Sequence, residues 1–244
     1  MSVELAVAAA RIVTMPFIRI VTEGLELLPM RGPAIVAVNH TTIVDVAPVM
    51  TALYKAGLLP SGPCGREDCG SIHGHVRFLA TSEIFDKPVL GSLARHWGFI
   101  EVPWKRPGAV AFKKARDALR RGEIVGIYPE GDVSAIPDGS PRKFRLGIGQ
   151  LALQTNAPIY PVAHHDARKL GSGSTAQSIR GLLTAAVRRP AVHLRVGEPI
   201  VPEEFVGMSL REVVGLVQDR VTDVWRAVSG TSLPLHVDHP EMPL

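Results

Sequence analysis

The chain has 244 residues, of which 46% are hydrophobic, 20% charged and only 5% aromatic. That is enough apolar chain for one sizeable core and too much for intrinsic disorder, and two cysteines exclude a disulfide scaffold. Lysine and arginine outnumber aspartate and glutamate by 27 to 23, giving a formal charge of +4 and a pI near 9.3. Without a polybasic tail or an aromatic platform for stacking bases, this surplus argues against nucleic acid and fits an anionic ligand or a membrane surface.

The mean hydropathy of +0.16 is high for a chain one-fifth charged. Its most apolar stretch, Val3 to Leu28, is interrupted by Arg11, Pro16, Arg19 and Glu23, so no run of about 18 uncharged apolar residues exists to cross a bilayer. The charges inside the stretch, with no small-residue cleavage site after it, argue against a secretory leader. The expectation is a cytoplasmic protein, peripheral on the membrane's cytoplasmic face, whose excess apolar surface meets something greasy.

In chain order, residues 3–28 read as an amphipathic helix, or two broken at Pro16, with Arg11 and Arg19 able to snorkel toward phosphates. Ala34–Val38 is a short continuous apolar run after a turn, the pattern of an interior strand, and a helix follows over 46–55. Further strands are expected at 76–80, 99–102, 124–128, 159–162 and 192–196. Helices are expected at 88–96, 108–121, 147–155, 177–188 and 209–228. This alternation predicts an α/β layered fold with a largely parallel mixed sheet flanked by helices. No linker divides it, so residues 1–29 read as an N-terminal helical segment, 30–230 as one domain and 231–244 as a tail. Two stretches interrupt the pattern, a breaker-rich loop over 59–75 and a Gly/Ser-rich turn over 171–177.

The sharpest local feature is Asn39-His40-Thr41-Thr42-Ile43-Val44-Asp45, where a buried strand gives way to a helix. Polar residues at the carboxyl end of a strand in an open α/β sheet lie where sites form. His40 can take a proton near neutral pH, and Asp45, about one helical turn away, can hold the ring's other nitrogen. No G-x-S-x-G elbow accompanies the pair, so the simplest chemistry activates the hydroxyl of a bound substrate. The plain structural alternative is that Asn39 and Asp45 cap a helix. A second polar cluster, Tyr128-Pro129-Glu130-Gly131-Asp132-Val133-Ser134, follows another apolar strand and is expected on the same edge.

The order Asn-His-x-x-x-x-Asp, then Tyr-Pro-Glu-Gly, resembles the glycerophospholipid acyltransferases, which include the 1-acylglycerol-3-phosphate acyltransferases. The family's first motif falls on Asn39, His40 and Asp45 and its third on Pro129, Glu130 and Gly131. The second falls on Gly98 to Trp104, and the fourth on Ala157 to Val162. The resemblance covers roughly residues 30–200. It implies a glycerol-3-phosphate acyltransferase-like fold and transfer of a fatty acyl group from coenzyme A or acyl carrier protein to a hydroxyl acceptor, a lysophospholipid foremost, with no cofactor. It makes His40 the general base, Asp45 its orienter, and Asn39, Glu130 and Gly131 part of substrate binding.

The departures concern the acceptor. Trp104 stands where the family's second motif ends in a phosphate-contacting arginine, and Asp132-Val133 stand where the third continues Thr-Arg. Neither replacement supplies a bidentate guanidinium. Trp104, Lys105, Arg106 and Arg145 are expected at the substrate, the last three as nearby cations that can compensate, while Arg142 and Lys143 read as solvated surface. Acceptors without phosphate, an idle acyl-carrier-binding protein and a hydrolase therefore stay open. Cys64, Cys69, His73 and His75 offer metal-ligand chemistry at a spacing irregular for zinc, and no metal is expected. His164 and His165 leave a strand together, so at most one faces the cleft.

Overall fold

The computed structural model describes residues 19–42, 44–60, 75–103, 108–134, 136–170 and 188–232. Its strands are β1 (Arg19–Glu23), β2 (Ala34–Val38), β3 (Leu59–Pro60), β4 (His75–Thr81), β5 (Ile100–Val102), β6 (Ile124–Ile127), β7 (Ile159–His165) and β8 (Ala191–Val196). The helices are α1 (Val46–Lys55), α2 (Ser82–Phe85), α3 (Pro88–His96), α4 (Ala109–Arg120), α5 (Gly147–Thr155), α6 (Pro202–Phe205) and α7 (Leu210–Ser232). The strands form one sheet in the order β1-β8-β7-β2-β6-β4-β3, with β5 beside the end of β4. Every pairing is parallel except β7 with β8.

The central strands are buried along their whole length, as continuous apolar runs require. Alternation then sorts their side chains. Ile35, Ala37, Val125, Ile127 and Ile159 meet α4, α5 and α7 on one face, where Val213, Val217 and Val221 of α7 close the layer. Ala34, Val36, Val38, Val76, Phe78 and Ile124 meet Val49, Ala52 and Leu53 of α1 on the other. Gly126 is required at the middle of β6, because a Cβ there would lie 2.5 Å from the Phe78 ring. Each Å² of apolar surface that the two faces bury stabilises the fold by about 25 cal/mol.

The helical expectation for residues 3–28 is corrected where the chain is described. Arg19–Glu23 is an edge strand, paired in parallel with Ala191–Val196, and Leu25–Leu27 is a single 3-10 turn. Ile20-Val21-Thr22 are three consecutive β-branched residues, which pack well on a pleated edge and lose rotamer freedom in a helix. The first two residues of the loop expected over 59–75 form β3, and the last opens β4. The helix expected at 177–188 lies almost wholly outside the described residues, as do the turn at 171–177 and the tail beyond Ser232. Among the described residues no helix is long and apolar enough to cross a membrane.

Candidate active site

Parallel strands deliver their carboxyl ends to one edge of the sheet, and β2 is flanked there by β6 and β7. The register Ala37 to Ile127 and Val38 to Val162 brings residues 39–42 and Asp45, 128–134 and 164–168 together. Asn39 leaves β2 fully buried, and its amide clasps the neighbouring strand. Its Oδ1 accepts from the His164 main-chain N at 2.8 Å, and its Nδ2 donates to the His164 carbonyl at 3.1 Å. The amide is thus engaged with main chain, and Asn39 braces this edge of the sheet.

Asp45, the residue before α1, is fully buried. Its carboxylate accepts from the main-chain N–H groups of Thr41 at 2.8 Å and Thr42 at 3.2 Å, and from His40 Nδ1 at 3.0 Å. A second imidazole, that of the equally buried His164, places Nε2 3.2 Å from the same oxygen. Burial opposes the charge on Asp45, but His40 and His164 outweigh it and hold the carboxyl well below its ordinary range. Because Asp45 is an acceptor, His40 carries hydrogen on Nδ1, which leaves Nε2 as the base.

His40 is also constrained on its other sides. Its main-chain N donates to Glu130 Oε1 at 2.8 Å, its carbonyl accepts from the Ser134 N at 2.7 Å, and its ring stacks on Tyr128 at 4.3 Å between centroids. The imidazole keeps 16% of its surface in solvent, enough for access but not for free rotation. Burial alone lowers its basicity. The carboxylates of Asp45, Glu130 and Asp132 reverse this and raise the pKa above the ordinary 6.5. Burial, and then the Asp45 charge, pushes the Tyr128 phenol well above 10. The hydroxyl itself makes no hydrogen bond of ordinary geometry among the described residues, so Asp45 acts on it through charge and proximity.

Glu130 is 1% exposed and binds two loops with its two oxygens, the His40 N–H and, at 3.1 Å, the Arg142 N–H. Burial raises its pKa against those donors. Its position beside His40 is as expected, but its oxygens serve the protein's own main chain. Gly131 has φ +70°, and a Cβ on it would lie 2.3 Å from Arg145 Nε. Arg145 crosses the loop there, donating Nε to the Glu130 carbonyl at 3.2 Å while its side chain remains exposed. Arg142, expected to be solvated surface, is only 33% exposed and lies 4.0 Å from Glu130 and 3.8 Å from Asp132. Trp104, Lys105 and Arg106 lie outside the described residues, as do Cys64, Cys69 and His73 and the side chain of His75. Among the described residues no cluster of three or more metal-ligating side chains occurs.

Two residues carry more of this geometry than their sequence context suggests. His164 and His165 do diverge, the first toward Asp45 and the second toward the Trp225 ring at 6.1 Å. Arg168 donates to the carbonyls of Thr41 at 3.2 Å, Pro137 at 2.9 Å, and Ile136 and Ser134, fastening the His40 segment to the Glu130 loop. Only the β2–β7 register brings either residue here. The alternation that puts Val162 inside is the local signal for a buried His164.

Known proteins resemble the chain in both sequence and fold. An uncharacterized protein of Mycobacterium tuberculosis is 27% identical over 149 residues, 59% of this chain, and the matched stretch spans only 36% of that protein. The 1-acyl-sn-glycerol-3-phosphate acyltransferase of Bacillus subtilis is 24% identical over 187 residues, covering 77% of this chain and 76% of its own. The crystal structure of the 1-acyl-sn-glycerophosphate acyltransferase PlsC from Thermotoga maritima shares the fold, with a TM-score of 0.65 at 23% identity over 93% of this chain and 78% of that one. The family model named Acyltransferase matches residues 19–165, a span that holds β1 through β7 and every described residue of the His40 and Glu130 segments, and the chain belongs to that family.

Proposed function

We propose that the protein transfers a fatty acyl group from an acyl thioester, of coenzyme A or of acyl carrier protein, to the hydroxyl of a lysophospholipid-type acceptor. The observation that carries this reading is the His40–Asp45 pair, in which a buried carboxylate holds Nδ1 and leaves Nε2 as a base on a partly open edge. His40 Nε2 takes the acceptor's hydroxyl proton as its oxygen attacks the thioester carbonyl. The carbon–sulfur bond then breaks, and the thiolate leaves with the proton returned from Nε2. Glu130, Tyr128 and Arg168 keep the imidazole in place, so the orienting cost is met before substrate arrives.

Arg145 supports a phosphorylated acceptor. Among the described residues it has no carboxylate partner, whereas Arg142 is shared by Glu130 and Asp132. A second reading, an acceptor without phosphate, is favoured by Asp132, which places a carboxylate at the rim where an anion would otherwise settle. Incubation with palmitoyl-CoA and paired acceptors, 1-oleoylglycerol-3-phosphate and 1-oleoylglycerol, separates the two by mass spectrometry of the products. Preference for the phosphorylated partner, weakened in Arg145→Met through KM, is expected. Equal use of both acceptors would favour the second reading, and release of free fatty acid alone would make the protein a thioester hydrolase. A peripheral position on the cytoplasmic face of a membrane would bring a water-soluble acyl thioester and a lipid acceptor together.

A further inference from the structure

We propose that His164 is a positioning residue that sets the basicity of His40 by sharing the carboxylate of Asp45 with it. This rests on the reading of His40 as the general base. The geometry is that of one carboxylate oxygen between two imidazoles. Asp45 Oδ2 lies 3.0 Å from His40 Nδ1 and 3.2 Å from His164 Nε2. His164 Nε2 is also 2.9 Å from the Asn39 carbonyl oxygen. Both neighbours are acceptors, so a ring hydrogen sits on Nε2 and serves them together. Its Nδ1 has no partner among the described residues although the residue is fully buried. The Asn39 amide clasps only the main chain of His164, so those two bonds between β7 and β2 survive loss of the imidazole, while its own bond to the Asn39 carbonyl goes with the donor.

The consequence for His40 follows from charge. Hydrogen on His164 Nε2 draws on the same oxygen that stabilises the protonated His40, and the loss of that hydrogen returns the carboxylate's full attraction to His40. His40 then titrates higher, and less of it is in the basic form near neutral pH. The other groups around it stay unchanged: Glu130 and Asp132 from the loop after β6, whose charges act on it, Arg142 beside Glu130, the Tyr128 ring that follows β6, and Arg168 from the turn after β7, bonded to the Thr41 carbonyl. With those fixed, removing the donor is expected to raise the His40 midpoint by about 0.5–1 pH unit.

The test is an NMR titration of the full chain carrying 15N-labelled histidine, in the wild type and in His164→Met, His164→Asn and His164→Gln. The His40 resonances are assigned by their absence from His40→Ala. Methionine removes the donor. Asparagine retains polarity, but its amide overlays Nδ1 and stops short of Asp45. Glutamine returns an NH2 to the place of Nε2, with one hydrogen for Asn39 and one for Asp45. An upward midpoint shift in the Met and Asn variants, restored by Gln, is expected, and the acid limb of kcat/KM for acyl transfer moves with it. A midpoint unchanged in whichever of the Met and Asn variants folds, or equally shifted in Gln, would overturn the proposal, because a merely structural role lowers Tm without following donor geometry. The titration does not depend on turnover. Full activity in His40→Ala would therefore remove the general-base reading and leave the test of Asp45 sharing intact.

Discussion

Replacing Asp45 with asparagine changes only a few atoms but disrupts a specific set of hydrogen bonds. Asp45 Oδ2 accepts from Thr41 N, Thr42 N and His40 Nδ1, with His164 Nε2 at 3.2 Å, and Oδ1 lies 3.2 Å from His40 Nδ1. An amide has one acceptor oxygen. If that oxygen takes the Oδ2 position, it keeps the two main-chain donors and stays 3.0 Å from His40 Nδ1, while the NH2 takes the Oδ1 position 3.2 Å from the same nitrogen, donor against donor. The conflict is relieved when His40 moves its hydrogen to Nε2, the nitrogen needed as the base. The expected loss in kcat is roughly 10²–10⁴-fold, with little change in KM. Loss of the buried charge from its donors costs about 2–4 kcal/mol of stability at pH 7. His40 also loses the largest contribution that raised its pKa, so any residual activity has its acid limb displaced downward. Initial rates of acyl transfer from pH 5 to 9, with urea unfolding at pH 7, measure all of these. Activity within about threefold of wild type, with an unmoved acid limb, would refute the orienting role of Asp45.

Folding raises the His40 pKa, so the stability it contributes is complete below 6.5 and is lost as the pH rises through the folded-state value; urea unfolding should show this decline, and His40→Gln should abolish it. Gly131→Ala forces a side chain onto φ +70° and against Arg145, and is expected to cost about 1–2 kcal/mol and to raise KM for a phosphorylated acceptor, measured by denaturation and steady-state kinetics. Arg168→Met removes the donor to four carbonyls and is expected to cost about 2–4 kcal/mol and to lower kcat as the His40 segment loosens, with the Tm and kinetics of the folded variant as the checks.

The interior strands were legible because burial on both faces leaves an uninterrupted apolar run, as in Ala34–Val38 and Ile124–Ile127. The helices over 46–55, 88–96 and 147–155 were legible because their apolar faces and flanking turns are local. β1 was not. Its apolar residues also fit a helical stripe, and its partner in the sheet lies about 170 residues further along the chain, where local periodicity carries no information. The same limit governs the site. His40 and Asp45 are five residues apart, so their pairing could be read from spacing, and Glu130 could be placed on the same edge from the strand before it. That Glu130 binds the His40 main chain depends on the register of β2 with β6, about 90 residues apart, and that Asn39 clasps β7 and that His164 and Arg168 reach this edge depends on the register of β2 with β7, more than 120 residues apart. Residue type marks these groups as capable of chemistry, but only the packed sheet decides which face substrate and which hold the others still.

The most direct measurement compares wild type with His40→Ala, using palmitoyl-CoA and 1-oleoylglycerol-3-phosphate, by the rate at which the doubly acylated product appears in the mass spectrum. The variant should fold as the wild type does, since His40 is partly exposed and its main-chain bonds to Glu130 and Ser134 survive the substitution. A loss of at least about 10²-fold in a folded variant is the result expected of a general base. Product formation at the wild-type rate would show that acyl transfer in this protein does not pass through His40.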